Sequence, residues 1–232
     1  MATSENITVL RPADSAAEHL FSVGEGESLS LCHIVGTKPS SVTLKLAANA
    51  SAKVLFVAVT GTCSKLTVRV DFEGRGASIE LYGLFLAAEG ERREVVTEVR
   101  HNAGDCKSFQ TVKGVASGSG AGRFDGLVYV APDAQHTDAE QLSRNLLLGN
   151  GSRIETLPQL EIYADDVRCS HGATVGQLAD EAIYYMRQRG INEQEARRLQ
   201  MSGFAHEIVS HCSDEKLLAE LTELIDNKIE EL

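Results

Sequence analysis

SVTLKLAANASAKVLFVAVTGTCSKLTVRVDFEGRGASIELYGLFL, residues 41–86, decides the fold class. Val42, Leu44, Leu46 and Ala48 alternate with Thr43, Lys45 and Ala47. Leu66, Val68, Val70 and Phe72 alternate with Thr67, Arg69 and Asp71, and Ile79, Leu81, Gly83 and Phe85 repeat the pattern. A period of two places successive side chains on opposite faces of a strand. Between these runs VLFVAV (54–59) is apolar throughout, as expected of a strand covered on both faces. Val128 and Val130 continue the alternation further along, and Gly, Ser, Asn and Asp punctuate the chain at irregular intervals of roughly 11 to 15 residues. With only 4 prolines, few strand interiors are interrupted. Many short strands without intervening helices mean a sandwich, a barrel or a β-helix. Periodicity does not choose among them. No fixed repeat length emerges, which counts against a regular solenoid and leaves a β-helix with irregular coils open.

At Thr174 the period changes, so the chain divides into a β domain over 1–173 and a helical region over 174–232. Val175, Leu178, Ala182, Tyr185 and Met186 share one helical face. Thr174 with Gln177 predicts a capping box, and Gly190 supplies a left-handed stop. Asn192 with Glu195 starts a second helix, with Met201, Phe204, Ala205, Ile208, Val209 and Cys212 as its apolar stripe. Ser213 is the predicted cap of a third, with Asp214 and Glu215 near its positive end and a stripe of Leu217, Leu218, Leu221, Leu224, Ile225 and Ile229. No linker separates strands from helices, so the helices dock on the β domain or on a partner.

Composition bounds the function. The chain has 232 residues, 43% hydrophobic and 24% charged, which is enough for a sizeable core. A formal charge of −11 supplies no basic face, which argues against a nucleic-acid partner. The seven acids between Asp214 and Leu232, against Lys216 and Lys228, read as a solvated helical face. No apolar run approaches the ~18 residues of a membrane span. MATSENITVLRPADS lacks the basic and apolar segments of a secretory signal, so a cytoplasmic location is expected. Five cysteines, odd in number, scattered and without a CxxC, read as reduced thiols.

Most candidate chemistry reduces to structure. GVASGSGAG (114–122) lacks the Gly-Lys-Ser/Thr ending of a phosphate loop and leads into the strand FDGLVYV, so it reads as a turn and gives no means of binding ATP. Asp165 and Asp166 are adjacent, and on a strand they point to opposite faces. His206 and His211 lie about 140° apart on a helix, a poor metal pair. His33, Cys63, His101 and Cys106 stand alone. A carbohydrate-active β-helix enzyme would need clustered acids and an aromatic platform, and there is no Trp. A zinc module would need two further ligands at suitable spacing. Cys169 and His171 differ: on a strand, positions i and i+2 share a face, and thiol with imidazole suits iron or zinc. Two ligands do not close a site, so other residues or a second chain must complete it.

The runs TDAEQLSRNLLL (137–148), PQLEIYADDVRCSHGATVGQL (158–178) and RQRGINEQEAR (187–197), with RFDGLVYVAPDAQ (123–135), carry a resemblance. The chain resembles the SufB/SufD family of the SUF iron–sulfur cluster assembly machinery, on its SufD side. The resemblance implies a right-handed parallel β-helix followed by a small C-terminal α-helical region. It implies a non-catalytic scaffold that pairs with a SufB-like subunit through the β-helix edge and docks the SufC ATPase on the C-terminal helices. It further implies a transient, nascent iron–sulfur cluster shared with SufB before transfer. His171, in CSHGAT, is the implied cluster residue at that interface, with Cys169 beside it in the motif. Ser170-His171-Gly172 stands where SufB-like chains carry a glutamate-bearing variant, which favours SufD. Residues 20–120 match only in general style. The resemblance implies an N-terminal helical domain, which is expected to be absent or severely shortened in this sequence, because strand-like sequence begins by Ile7 to Leu20. The sequence leaves open whether a flavin joins the complex, whether this chain alone binds a cluster, and whether two copies pair without SufB.

Overall fold

The alternation read from the sequence becomes thirteen strands and three helices in a computed structural model that describes residues 7–12 and 17–232. Part of the N-terminal stretch MATSENITVLRPADS lies outside the described residues. The strands are β1 (Ile7–Leu10), β2 (Ala17–Val23), β3 (Ser28–Ile34), β4 (Ser40–Leu46), β5 (Ser51–Ala58), β6 (Cys63–Phe72), β7 (Ser78–Ala87), β8 (Arg92–His101), β9 (Lys107–Ser117), β10 (Ala121–Val130), β11 (Asp138–Leu148), β12 (Arg153–Ile162) and β13 (Arg168–Gly176). The helices are α1 (Asp180–Gln188), α2 (Glu193–Val209) and α3 (Glu215–Ile229).

Odd and even strands separate into two sheets, ordered β1-β3-β5-β7-β9-β11-β13 and β12-β10-β8-β6-β4-β2. Every pairing is parallel, so the chain winds as a parallel β-helix, followed by the three helices. Ser28 pairs with Ser51, Ser51 with Ser78, Ser78 with Lys107, and Lys107 with Asp138. The coil spacing in this sheet therefore rises from 23 to 31 residues and is 30 at the last pairing, Asp138 with Arg168, which is why no fixed repeat is visible in the sequence.

The alternating apolar positions meet between the sheets. Val42, Leu44, Leu66, Val68, Leu81, Phe85, Val95 and Phe124 belong to one buried cluster. Gly83 belongs to this packing: a Cβ there would lie 2.0 Å from Cζ of Phe56 on the neighbouring strand, so only glycine admits the ring. The outer face of the six-stranded sheet stays wet and carries cross-strand ion pairs, Lys65 with Glu94 at 2.8 Å and Arg69 with Glu98 at 2.7 Å. The outer face of the seven-stranded sheet does not. Leu55, Val57, Leu84, Leu86 and Val115 pack against Ala205, Ile208, Leu221 and Ile225 of α2 and α3. The apolar run at 54–59 is thus two interleaved stripes, one facing the lumen and one facing the helices. Lys113 of β9 reinforces this seam, its buried ammonium 2.6 Å from Glu207 and 3.0 Å from the Phe204 carbonyl.

Two helix starts differ from expectation. The capping box at Thr174 and Gln177 does not form. Thr174 lies in β13, paired with Arg144, and its carbonyl accepts from Asn145 Nδ2 at 3.1 Å. The ladder outcompetes a local cap, because a β-branched residue fits a pleated sheet. The strand runs through Gly176, past the division after residue 173, and α1 begins at Asp180 without a side-chain cap. The stripe predicted for this helix stands in part: Leu178 and Met186 pack into the helix–sheet cluster, whereas Val175 and Ala182 are exposed. Within α1 only Ile183 is buried, and Tyr185 points to solvent. The third helix is capped by Asp214, which accepts from the Leu217 amide at 2.8 Å, and not by Ser213. The Asn192 cap stands, with Oδ1 accepting from the Glu195 amide at 2.9 Å, and Gly190 is left-handed at φ +88°.

Candidate functional site

β12 and β13 are the last strands of their sheets, so both leave an unpaired edge at the same end of the β-helix. Cys169 and His171 lie on β13, in register with Ala139 and Gln141 of β11. Ala139 and Gln141 are buried and face the lumen, and register partners in a parallel pair share a face. The two candidate ligands therefore share the lumenal face, as their spacing predicts, at the rim where the lumen opens. His171 is exposed. Cys169 is half-buried against the cluster that includes Val128, Val130 and Ala139. Burial pushes its thiol up, an effect outweighing the lowering by a backbone hydrogen bond at Ala139. The thiol is protonated at neutral pH and is a metal ligand only once the metal displaces that proton.

The other singled-out residues behave as structure. Asp165 and Asp166 lie in the loop after β12 and not on a strand, and Asp166 pairs with His136 at 3.1 Å. His33 and His101 are buried, each lowered to about 4 by desolvation, and His101 Nε2 lies 2.9 Å from the Ser108 hydroxyl. Cys106 Sγ is 3.3 Å from the carbonyls of Gly74 and Gly104. His206 contacts Asp226 at 3.0 Å, whereas His211 stacks on Tyr82 with ring centroids 3.6 Å apart. Residues 118–120 of the glycine-rich stretch form the turn between β9 and β10. Among the described residues, no three His, Cys, Asp or Glu side chains converge in a way that could hold a metal. Among the same residues, no helix is long and apolar enough to cross a membrane.

One signal was overlooked in the sequence. In DAEQLSRNL the lumenal phase carries Gln141, Ser143 and Asn145, all buried, while Leu142 and Leu146 face outward. An inverted alternation of this kind marks a polar interior that the periodic reading assigns to the surface.

Residues 33–204 match the family model described as SUF system FeS cluster assembly, SufBD core domain. The chain belongs to the SufBD family. It is 37% identical over 186 residues to the iron–sulfur cluster assembly protein SufD of Escherichia coli, covering 80% of this chain and 44% of that protein. It is 35% identical over 181 residues to a SufBD family protein of Mycobacterium leprae, covering 75% of this chain and 46% of that one. A 95-residue stretch is 44% identical to the chloroplastic protein ABCI7 of Arabidopsis thaliana, covering 41% of this chain and 20% of that one. This SufBD chain thus spans less than half the length of these curated relatives. The rim carrying Cys169 and His171 falls inside the matched core domain.

Proposed function

We propose that this chain is a non-catalytic scaffold subunit of iron–sulfur cluster assembly, one that offers an incomplete ligand set for a second subunit to complete. The observation that carries the reading is the exposed His171 on an unpaired edge strand, with Cys169 on the same face and, among the described residues, no third ligand completing a metal site. An unpaired edge recruits another chain through its free amides and carbonyls. Ile162, Tyr163 and Val175, all exposed, add apolar surface around the same rim. The partner that fits is a SufB-like subunit, whose side chains would face His171 across the joined edges. The cluster is cargo here, and a loosely ligated cluster between subunits is easier to pass on than one held by four fixed thiolates.

The C-terminal helices supply the dock for the SufC ATPase, where nucleotide turnover resides. Within this region α1 offers the largest exposed aromatic surface, with Tyr184 and Tyr185 64% and 60% exposed, which supports a contact that includes α1. The deciding experiment is anaerobic co-expression with SufB and SufC homologues, followed by iron and sulfide analysis of the purified complex. His171→Ala is expected to abolish cluster formation while the complex still forms. Unchanged iron and sulfide in that variant would remove His171 from the mechanism. Tyr184→Ser with Tyr185→Ser is expected to lose the ATPase from the complex and retain the SufB partner.

A further inference from the structure

The lumen of the β-helix changes character over its last coils. Higher up, inward positions are Val54, Val68, Leu81 and Val99. Lower down, Gln110 and Gln141 face inward at 1% and 0% exposure. Gln110 is in register with Gln141, and Gln141 with His171. The three form one inward column with neighbours one strand spacing apart, about 4.8 Å. No amide nitrogen or oxygen of Gln110 or Gln141 has a hydrogen-bond partner. Room for the second amide is built into the opposite wall: a Cβ on Gly126 would lie 2.4 Å from Gln141 Nε2.

A buried amide without a partner is costly, and its presence in a packed interior demands an explanation. Gln110 can serve one side of Gln141. On the other side, the next polar group of the column is the imidazole of His171. We propose that Gln141 is a positioning residue for His171. Its amide oxygen accepts from one ring nitrogen, which fixes the tautomer and turns the other, unprotonated nitrogen out of the open rim. This rests on the reading of His171 as the cluster residue and adds the group that orients it. Histidine ligands are generally held in this way by an acceptor on the far ring nitrogen.

The test uses the whole chain labelled with ¹⁵N-histidine, with long-range ¹⁵N–¹H correlation spectra recorded where the ring is neutral. His171→Ala assigns the resonance. The wild type is expected to show one tautomer for His171. Gln141→Met, which keeps the length and removes the acceptor, is expected to lose that preference and give the mixture of a free imidazole. Gln141→Glu retains a single tautomer, because a carboxylate only accepts. A free-imidazole mixture in the wild type overturns the proposal, as does a Met variant indistinguishable from it. If the Met variant does not fold, the wild-type and Glu spectra decide alone. Iron and sulfide analysis of the co-expressed complex separates the two ideas. If His171→Ala abolishes cluster formation but the wild-type ring is a free mixture, positioning fails and the scaffold reading stands. A fixed, Gln141-dependent tautomer beside undiminished cluster formation in His171→Ala upholds positioning and removes the scaffold role of His171.

Discussion

Truncating Leu221 to alanine tests whether the C-terminal helices fold with the β-helix or hang from it as a separate arm. Leu221 of α3 is 0% exposed and belongs to the same buried cluster as Leu55, Val57, Leu84 and Leu86 on the sheet. The substitution removes three buried carbons, and at about 0.8 kcal/mol each the lost transfer energy is about 2.4 kcal/mol. The cavity left in a seam of helix against sheet cannot collapse fully, which brings the expected cost to about 3–4 kcal/mol. For a chain of this size that lowers Tm by about 10 °C. The assay is urea and thermal unfolding followed in parallel by helical circular dichroism and by hydrogen exchange of amides in β5 and β7. One shared transition, shifted by that amount in both probes, is the expected result. A helical signal that melts early while the strand amides keep their wild-type midpoint would refute the claim that sheet and helices share one core.

Three further outcomes follow from the packing. Lys113→Met is expected to cost less than Glu207→Gln in denaturant midpoint, because the first removes a buried charge and the second leaves it with only the Phe204 carbonyl and ring; the difference is about 1–2 kcal/mol, since Glu207 is 56% exposed. His33 and His101 are each lowered to about 4 by burial, so the unfolded chain binds more protons below pH 6.5 and stability falls as pH drops from 6.5 towards 4. Urea midpoints across that window should fall by an amount corresponding to about 3 kcal/mol per histidine, and His33→Gln with His101→Gln should flatten the slope. Peptide mapping after alkylation at neutral pH should modify the exposed Cys63 well before Cys32, whose thiol burial pushes up to about 12; equal rates would contradict the burial of Cys32.

Much of the architecture was legible because alternation is a local property. Leu66, Val68, Val70 and Phe72 declare an inward face without reference to any neighbour, and VLFVAV declares two. The helix stripes of α2 and α3 read as cleanly, since Met201, Ala205, Ile208, Leu221 and Ile225 are all buried. Two of the failures share one physical cause. Thr174 has the chemistry of a cap but sits beside Arg144 in a ladder, and pairing with a distant strand overrides its local preference. Gln141 looks like a surface residue, and only its place between Gln110 and His171 makes it a lumenal one. Asp165 and Asp166 could not be placed, because nothing in their own sequence ends the strand at Ile162.

By itself, the chain's sequence determined that it is mostly β, that three helices follow, that VLFVAV is covered on both sides, and that Cys169 and His171 share a face. Each depends on the period of side chains along one strand or helix, which a linear string records. The tertiary structure alone decided that the strands wind in parallel coils of growing length. It also placed α2 and α3 on the seven-stranded sheet, made β13 an edge, and set His171 beneath a column of unpartnered amides. These depend on which strands become neighbours across 23 to 32 residues of chain, and register of that kind is set by the packing of the whole lumen.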